Sequence, residues 1–240
     1  MELFNRFELK YILPWQEAEK FRHQMKAHVL RDPHAGSKGH YHINSLYYDS
    51  PDYKCFWEKI EGLKVRRKVR IRAYGENENK DDVFLEIKQR TNRTIQKRRI
   101  RCSKKTVLPL LNGLNDNAWD ETIKNNHVLS EVNFLYHWYQ LEPKAVISYQ
   151  REAFQGIYND RLRITFDTNL RYRMHFDLDP TIPPDHDLYL IHPELVVLEI
   201  KFNEKIPIWL TRMIQCCDFQ INRISKYCES IAKGVYQERY

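Results

Sequence analysis

Three consecutive segments, VRRKVRIRAYG, VFLEIKQR and TIQKRRIRC, constrain the fold more than any other feature of the sequence. In the first two, apolar side chains alternate with charged ones, with Arg67 as the one exception, and in the third the cations recur at every second position. This spacing predicts β-strands with a charged face. The cations of the charged faces are Arg66, Lys68, Arg70 and Arg72, then Lys88 and Arg90, then Lys97, Arg99 and Arg101. Because like charges on neighbouring strands repel, a polyanion is the simplest ligand that would compensate them.

Short polar connections join these segments, at residues 76–82 and 91–93, and predict two consecutive antiparallel hairpins. The remaining strands are predicted from similar patterns at Asn5–Ile12, Tyr41–Tyr48, Lys144–Phe154, Arg161–Thr168 and Val196–Phe202. Amphipathic spacing and terminal signals predict helices at Gln16–Leu30, Asp52–Glu61, Ser103–Leu114, Val128–Tyr139, Pro207–Cys217 and Ser225–Tyr236.

The charged strand faces decide between two architectures. An open antiparallel sheet could expose such a face to water. Arginine-rich faces that also contain carboxylates favour the other arrangement, a closed antiparallel barrel with its apolar face outward and covered by helices. About eight strands would enclose a polar tunnel wide enough for side chains or one slender ligand. We therefore predict an α+β fold in which residues 1–240 form a single domain around a closed β-barrel.

Composition restricts the partners and the compartment. The formal net charge is +7, which favours anionic ligands without naming them. Nucleic acid is not expected, because an open basic face with stacking aromatic residues is not predicted. The amino terminus carries no apolar segment typical of a secretory signal, and no uncharged apolar run approaches the length of a membrane span. The five cysteines include no CxxC pair and are interpreted as reduced thiols. We expect a cytoplasmic protein, with any membrane attachment made through a membrane-protein partner.

Eight short motifs occur in a characteristic order: RFELKY, YYDS, VRIRAYG, VFLEIKQR, YQREAF, LRITFDTNL, VVLEIKF and ISKY. Together they resemble the VTC domain, the polyphosphate polymerase module of the vacuolar transporter chaperone complex, which belongs to the triphosphate tunnel metalloenzymes. The resemblance runs from about residue 6 to residue 227. It implies that ATP and inorganic polyphosphate bind in the tunnel, and that a carboxylate holds Mn²⁺ or Mg²⁺.

The resemblance also implies a role for individual residues. The expected catalytic cations are Arg70, Arg72, Lys88 and Arg163. The expected phosphate-binding residues are Lys10, Lys97, Arg151, Lys201 and Lys226. Glu199 is the expected metal ligand, with Glu8 as a second, although Glu8 and Glu86 could instead pair with the surrounding cations, and Lys201 could be an ion-pair partner of Glu199.

Three functions remain open at this stage: an ATP-dependent polyphosphate polymerase, a hydrolase of triphosphate or polyphosphate, and a module that binds polyanions without catalysis. The related hydrolases begin with a Glu-x-Glu-x-Lys signature, whereas this chain has Arg6 at its first position. That difference favours the polymerase. No GxxxxGK[ST] loop and no spacing typical of a nucleophilic triad occurs, so phosphoryl transfer would be direct, by positioning and charge neutralisation.

Overall fold

The computed structural model describes residues 6–75, 81–92, 94–111, 126–174, 179–182, 184, 187–217, 219–222 and 224–237, and the side chains of all of these except Arg6 and Gln237. The strands are β1 Arg6–Pro14, β2 Val29–Arg31, β3 Tyr41–Asp49, β4 Val65–Tyr74, β5 Asp82–Thr91, β6 Thr94–Ser103, β7 Glu142–Gly156, β8 Arg163–Met174, β9 Leu188–Tyr189 and β10 Leu195–Asn203. The α-helices are α1 Trp15–Met25, α2 Lys54–Ile60, α3 Lys104–Leu111, α4 His127–Tyr139, α5 Ile208–Cys216 and α6 Lys226–Ile231. Two 3-10 helices, Lys26–His28 and Pro33–Ala35, and a π-helix, Ala232–Gln237, complete the described elements.

The α+β class is confirmed, and the sheet is antiparallel in every pairing whose register is resolved. Its strands follow one another in the order β1, β10, β8, β7, β3, β4, β5, β6, while β2 pairs with β7 and β9 pairs with β8. The path thus starts and ends at an edge strand. The prediction of a closed barrel was wrong, since β1 and β6 do not pair over the residues described here.

Each edge strand of the open sheet has a feature that disfavours pairing with another sheet. On β1, the carbonyl oxygen of Lys10 accepts a hydrogen bond from the amide of Asn222, at 2.7 Å. On β6, Lys97, Arg98, Arg99 and Arg101 place charge along the strand, and charged edges resist pairing with another sheet. Alternation in the sequence indicates which side chains share a face of a strand, but not which strands pair with each other. Whether the sheet closes into a barrel could therefore not be predicted from it.

The chain divides into two compact units. The first comprises Met1–His42, Tyr149–Arg171 and Tyr189–Ser225, and the second comprises Ile43–Ser148, Tyr172–Leu188 and Lys226–Tyr240. In the first unit, apolar faces of β1, β8 and β10 pack against α1 and α5, with Phe21 and Phe166 among the buried residues. In the second unit, the apolar faces of β4 and β5 pack against α3 and α4 around Leu85, Leu111 and Val132. The helices therefore cover the apolar strand faces, as predicted, and the charged faces point away from these cores.

Two predicted helices have boundaries that differ from those in the structure. The helix expected at Gln16–Leu30 ends at Met25, because Val29–Arg31 instead pair with the end of β7. The helix expected at Ser103–Leu114 begins at Lys104 and is described to Leu111, and residues 112–114 lie outside the described part of the chain. Helix α2 ends where expected: Gly62 has a φ of +74°, and the amide of Leu63 donates to the carbonyl of Glu58. Among the described residues, no helix is both long enough and apolar enough to cross a membrane.

Candidate active site

The charged face of the first unit is built from residues that lie opposite one another on β1, β10 and β8. Lys10 faces Glu199, and Glu199 faces Thr165. One step along the strands, Glu8 faces Lys201, and Lys201 faces Arg163. Directly opposite residues share one face of a sheet, so the register alone gathers both expected metal ligands with two expected phosphate-binding lysines and one expected catalytic arginine.

Lys10 lies between the two carboxylates. Its Nζ is 2.9 Å from Glu8 Oε1 and 3.0 Å from Glu199 Oε1, and it also donates to the carbonyl of Ile224, at 3.3 Å. Burial alone would lower the pKa of Lys10, but the charges of Glu199 and Glu8 outweigh burial and raise it above its usual value. Lys10 therefore stays charged and keeps two negative side chains close together.

Glu199 lies close to three cations of this unit. It accepts a hydrogen bond from Lys201 Nζ at 2.7 Å, and Arg151 Nη2 lies 3.5 Å from its Oε2. The pKa of Lys201 is lowered, chiefly by burial, although Glu199 opposes that effect. Lys201 is thus both an ion-pair partner of Glu199, the alternative that the sequence left open, and a neighbour of Arg163 in the register.

Arg151 is bound first of all to Asp167. Its Nε and Nη2 donate to the two carboxylate oxygens at 2.6 and 2.7 Å. Burial would lower the pKa of Arg151, but Asp167 and Glu199 hold it well above its usual value. A bidentate pair of this kind fixes the guanidinium plane, so Asp167, which the sequence analysis did not single out, orients an expected phosphate ligand.

Arg163 is half-exposed and has a different counter-ion. Its Nη2 lies 2.6 Å from Asp32 Oδ2 and donates to the hydroxyl of Tyr41 at 3.2 Å. Asp32 is buried and is held by its own backbone, since its amide donates to the carbonyl of Ala153 at 2.8 Å. A polyanion that reached Arg163 would compete with a fixed carboxylate.

The second unit carries a separate set of charged side chains on β3, β4, β5 and β6. Tyr47 faces Arg70, Arg70 faces Glu86, and Glu86 faces Arg99. The next row contains only lysines, because Lys68 faces Lys88 and Lys88 faces Lys97.

Glu86 is the centre of this set. It is 1% exposed, and its carboxylate lies 2.6 Å from Arg70 Nη2, 4.0 Å from Arg72 Nη1 and 2.5 Å from Lys97 Nζ. Burial would raise the pKa of Glu86, but Arg70, Arg72 and Lys97 outweigh burial and lower it to about 2. Three cations around one carboxylate indicate that Glu86 neutralises part of the cluster, the alternative to metal binding that the sequence left open.

The row of lysines adds positive charge beside this cluster. Lys68 Nζ lies 3.2 Å from Cys228 Sγ and 4.9 Å from the centre of the Tyr227 ring. Lys226 is buried at the start of α6, next to Tyr227 in the chain. Burial lowers the pKa of Lys97 to about 8 against the opposing effect of Glu86. These residues extend the positively charged face beyond Glu86.

The donor set can be tested against the metal that the resemblance implies. Glu8 and Glu199 each place an oxygen within 3.0 Å of one ammonium group, so two hard oxygen donors lie side by side. No group of three or more Asp, Glu, His or Cys residues suited to a metal occurs in the described part of the chain. Mg²⁺ is typically held by one or two carboxylates together with substrate phosphates and water, and Mn²⁺ accepts the same ligands. The residues present fit such a site.

A comparison with known protein families matches residues 5–235 to the VTC domain. The chain belongs to the VTC domain family. The match covers nearly the whole sequence, so it includes every strand and helix that supplies the two charged sets. The resemblance drawn from eight short motifs is therefore confirmed.

Two curated relatives of this VTC domain are subunits 4 of vacuolar transporter chaperone complexes. The protein of Trypanosoma brucei brucei is 28% identical over 230 residues, and that of Trypanosoma cruzi is 26% identical over 230 residues. Each alignment covers 79% of this chain but 28% of the relative, so this chain spans less than a third of the length of either.

Solved structures with a similar fold come from a bacterium and a plant. A candidate adenylate cyclase from Bacillus halodurans has a TM-score of 0.50 at 14% identity, covering 92% of this chain and 95% of the other. A candidate adenylyl cyclase from Hippeastrum, which shows a dominant triphosphatase activity, has a TM-score of 0.50 at 11% identity, covering 97% and 95%. At such low identity these similarities concern the fold alone.

Proposed function

We propose that this VTC domain is an ATP-dependent polyphosphate polymerase that transfers the γ-phosphate of ATP to a growing polyphosphate chain. The observation that carries the proposal is the group of cations on one face of β4, β5 and β6. Arg70, Arg72 and Lys97 surround the carboxylate of Glu86, and Lys68 and Lys88 lie opposite each other in the next row. Like charges held this close destabilise a sheet, and a linear polyanion is the ligand that relieves them at several points at once.

The second support is the pair of carboxylates that Lys10 holds together. Glu199 and Glu8 would hold a divalent cation, which neutralises charge on phosphate oxygens and orients them. Manganese and magnesium both suit these ligands, and the choice between them stays a prediction. Lys10 itself is placed to contact the same phosphates as a point charge.

The chemistry requires no covalent intermediate with the protein. A terminal oxygen of the acceptor chain attacks the γ-phosphorus of ATP, the bond between that phosphorus and the β,γ-bridging oxygen breaks, and ADP leaves. The expected catalytic arginines would neutralise charge on phosphate oxygens through forked hydrogen bonds, and lysines such as Lys88 would do so as point charges.

Membership of the family supports a shared activity, and the curated relatives suggest a setting. Because those relatives are subunits of a complex, a membrane-protein partner is part of the proposal for this chain. A cytoplasmic location, the single domain and the polar tunnel stay predictions.

The decisive experiment is incubation of the purified protein with ATP and Mn²⁺ or Mg²⁺, followed by measurement of ADP, free phosphate and polymer on a gel. Polymer formed in step with ADP supports the proposal. Free phosphate without polymer would show that water is the acceptor and that the protein is a hydrolase. Binding of tripolyphosphate without any turnover would identify a binding module instead.

A further inference from the structure

Tyr47 holds one side of the Arg70 guanidinium. The two residues lie directly opposite each other on β3 and β4, and the Tyr47 hydroxyl accepts a hydrogen bond from Arg70 Nη1 at 2.8 Å. Glu86 occupies a different part of the same group, accepting from Nε at 2.8 Å and lying 2.6 Å from Nη2. The Arg70 guanidinium, held by both Tyr47 and Glu86, is therefore oriented before any ligand binds.

Tyr47 is itself fixed by a second tyrosine. Its ring stacks on that of Tyr227, with a centroid distance of 5.2 Å and an interplanar angle of 24°. The Tyr227 hydroxyl donates to Asp49 Oδ2 at 2.5 Å. The same carboxylate accepts from the backbone amides of Cys55, at 2.7 Å, and Phe56, at 3.1 Å, near the start of α2. A continuous series of contacts therefore connects a helix end to Arg70.

We propose that Tyr47 is a positioning residue for Arg70, and that the site loses affinity for phosphate when the Tyr47 hydroxyl is ionised. The proposal rests on the proposed function, because it takes Arg70 to be a phosphate ligand. It goes further by assigning a role to a residue that is absent from the expected catalytic and phosphate-binding residues. It also predicts how the site responds to alkaline conditions.

The charges around Tyr47 explain why its hydroxyl should ionise at mildly alkaline pH. Arg70, Arg72 and Lys68 face it from β4, the Tyr227 ring packs on it from α6, and Glu86 on β5 reaches it through Arg70. Burial would raise the pKa of Tyr47, but Arg70 and Arg72 outweigh burial and lower it to about 8. A phenolate beside Arg70 would cancel part of the positive charge that a phosphate requires.

The direction of the effect follows from linkage. A bound polyanion disfavours the phenolate, so the pKa of Tyr47 is higher in the complex than in the free protein. The complex therefore holds more protons, and the affinity falls as the pH rises above about 8, by at most about tenfold per pH unit for this one group. Lys97 also loses charge in this range, since its pKa is about 8. The two contributions have to be separated.

The experiment measures the affinity for tripolyphosphate by calorimetry between about pH 7 and about pH 9 in the wild-type protein and three variants. Tyr47→Phe removes the hydroxyl, Lys97→Arg keeps a charge that does not titrate, and Tyr158→Phe removes a hydroxyl from a side chain that is 95% exposed. We expect Tyr47→Phe to bind about three- to tenfold more weakly near pH 7, with a shallower decline at alkaline pH. Lys97→Arg should reduce the decline only in part, and Tyr158→Phe should match the wild type.

A second measurement needs no variant. The ultraviolet absorbance of tyrosinate should show one phenol of the wild-type protein ionising near pH 8, and tripolyphosphate should move that ionisation to higher pH. Wild-type protein that does not bind tripolyphosphate at all would remove the proposed function itself. Two results would overturn the role of Tyr47 and leave the proposed function intact. One is tight binding of tripolyphosphate to the wild type with the same affinity and pH profile in Tyr47→Phe, and the other is a phenol ionisation that tripolyphosphate does not shift.

Discussion

Arg151 and Asp167 form a bidentate ion pair on the charged face of the first unit, with two hydrogen bonds of 2.6 and 2.7 Å. Asp167 is fully buried and Arg151 nearly so. The resemblance to the VTC domain implies that Arg151 binds phosphate, a role whose loss would leave the fold intact. The geometry adds a structural role, because a buried carboxylate depends on this arginine.

Replacing Arg151 by Ala should therefore destabilise the protein. Removing one partner of a buried pair typically costs about 3–5 kcal/mol of the free energy of unfolding. The double variant Arg151→Met/Asp167→Asn should regain part of that loss, because no buried charge is left behind. Urea denaturation of both variants and the wild type measures the effect. Equal stability of Arg151→Ala and the wild type would show that the pair contributes nothing to the fold.

Glu86 makes the stability of the second unit dependent on pH. Its pKa is about 2 in the folded protein and 4.5 ordinarily. A carboxylate with a lowered pKa contributes stability above its ordinary pKa and loses that contribution as the pH falls through the folded value. The difference corresponds to about 3 kcal/mol, since one pKa unit is about 1.4 kcal/mol.

The variant Glu86→Gln should accordingly be less stable than the wild type at neutral pH by about 3 kcal/mol. The gap should narrow as the pH falls from about 5 to about 2, because the wild type loses its advantage there. Chemical denaturation across this pH range provides the measurement. Glu61→Gln, at an exposed position just after α2, is the control and should behave as the wild type. A gap that stays constant with pH would show that Glu86 is not the titrating group.

The strands were predictable because their alternation reflects burial. Val83, Leu85 and Ile87 are all buried in the core with α3 and α4, so an apolar residue at every second position was required on that face. The charged face was equally visible, since Arg70 and Arg72 of β4 share it. Helix α4 begins one residue before its predicted start. It ends at Tyr139, as predicted, and the next residue, Gln140, turns the chain with a φ of +51°.

The partners of the charged residues were not predictable from local sequence. Asp32 pairs with Arg163 across 131 positions of the chain, and Tyr47 meets Arg70 only through the register of β3 and β4. Asp167 was visible as the residue two positions after Thr165 on the charged face of β8, which was the one available signal. Pairing of Val29–Arg31 with β7 likewise depends on tertiary contacts that override local helix propensity.

Glu199 is expected to be a metal ligand, and Glu199→Gln tests that role. The amide can still accept a hydrogen bond from Lys10 or Lys201, and Glu8 still forms its ion pair with Lys10, so the free energy of unfolding should fall by only about 1–2 kcal/mol. Metal-dependent turnover should be lost. ADP release is followed while Mn²⁺ is titrated, with Glu194→Gln, an exposed residue just before β10, as the matched control. Unchanged activity at the same Mn²⁺ concentration would assign the metal to Glu8 or Glu86.

Removing a cation from the charged strand faces should reduce ATP turnover far more than removing an equal charge from an exposed helix. A charge-assisted hydrogen bond to a phosphate contributes roughly 1.5–3 kcal/mol, and one made chiefly in the transition state changes kcat by about tenfold for each 1.4 kcal/mol. Arg163→Ala and Lys88→Ala should each reduce ATP turnover by at least about tenfold.

Lys20 and Lys26, both exposed at or just after α1, provide the comparison. Lys20→Ala and Lys26→Ala remove the same unit of charge without removing a contact to the substrate, so turnover should stay close to the wild-type value. The four variants are compared side by side, with ADP release and melting temperature recorded for each. An equal loss of activity in all four would mean that the cations act only through net charge, and the assignment of Arg163 and Lys88 to phosphate recognition would then be wrong.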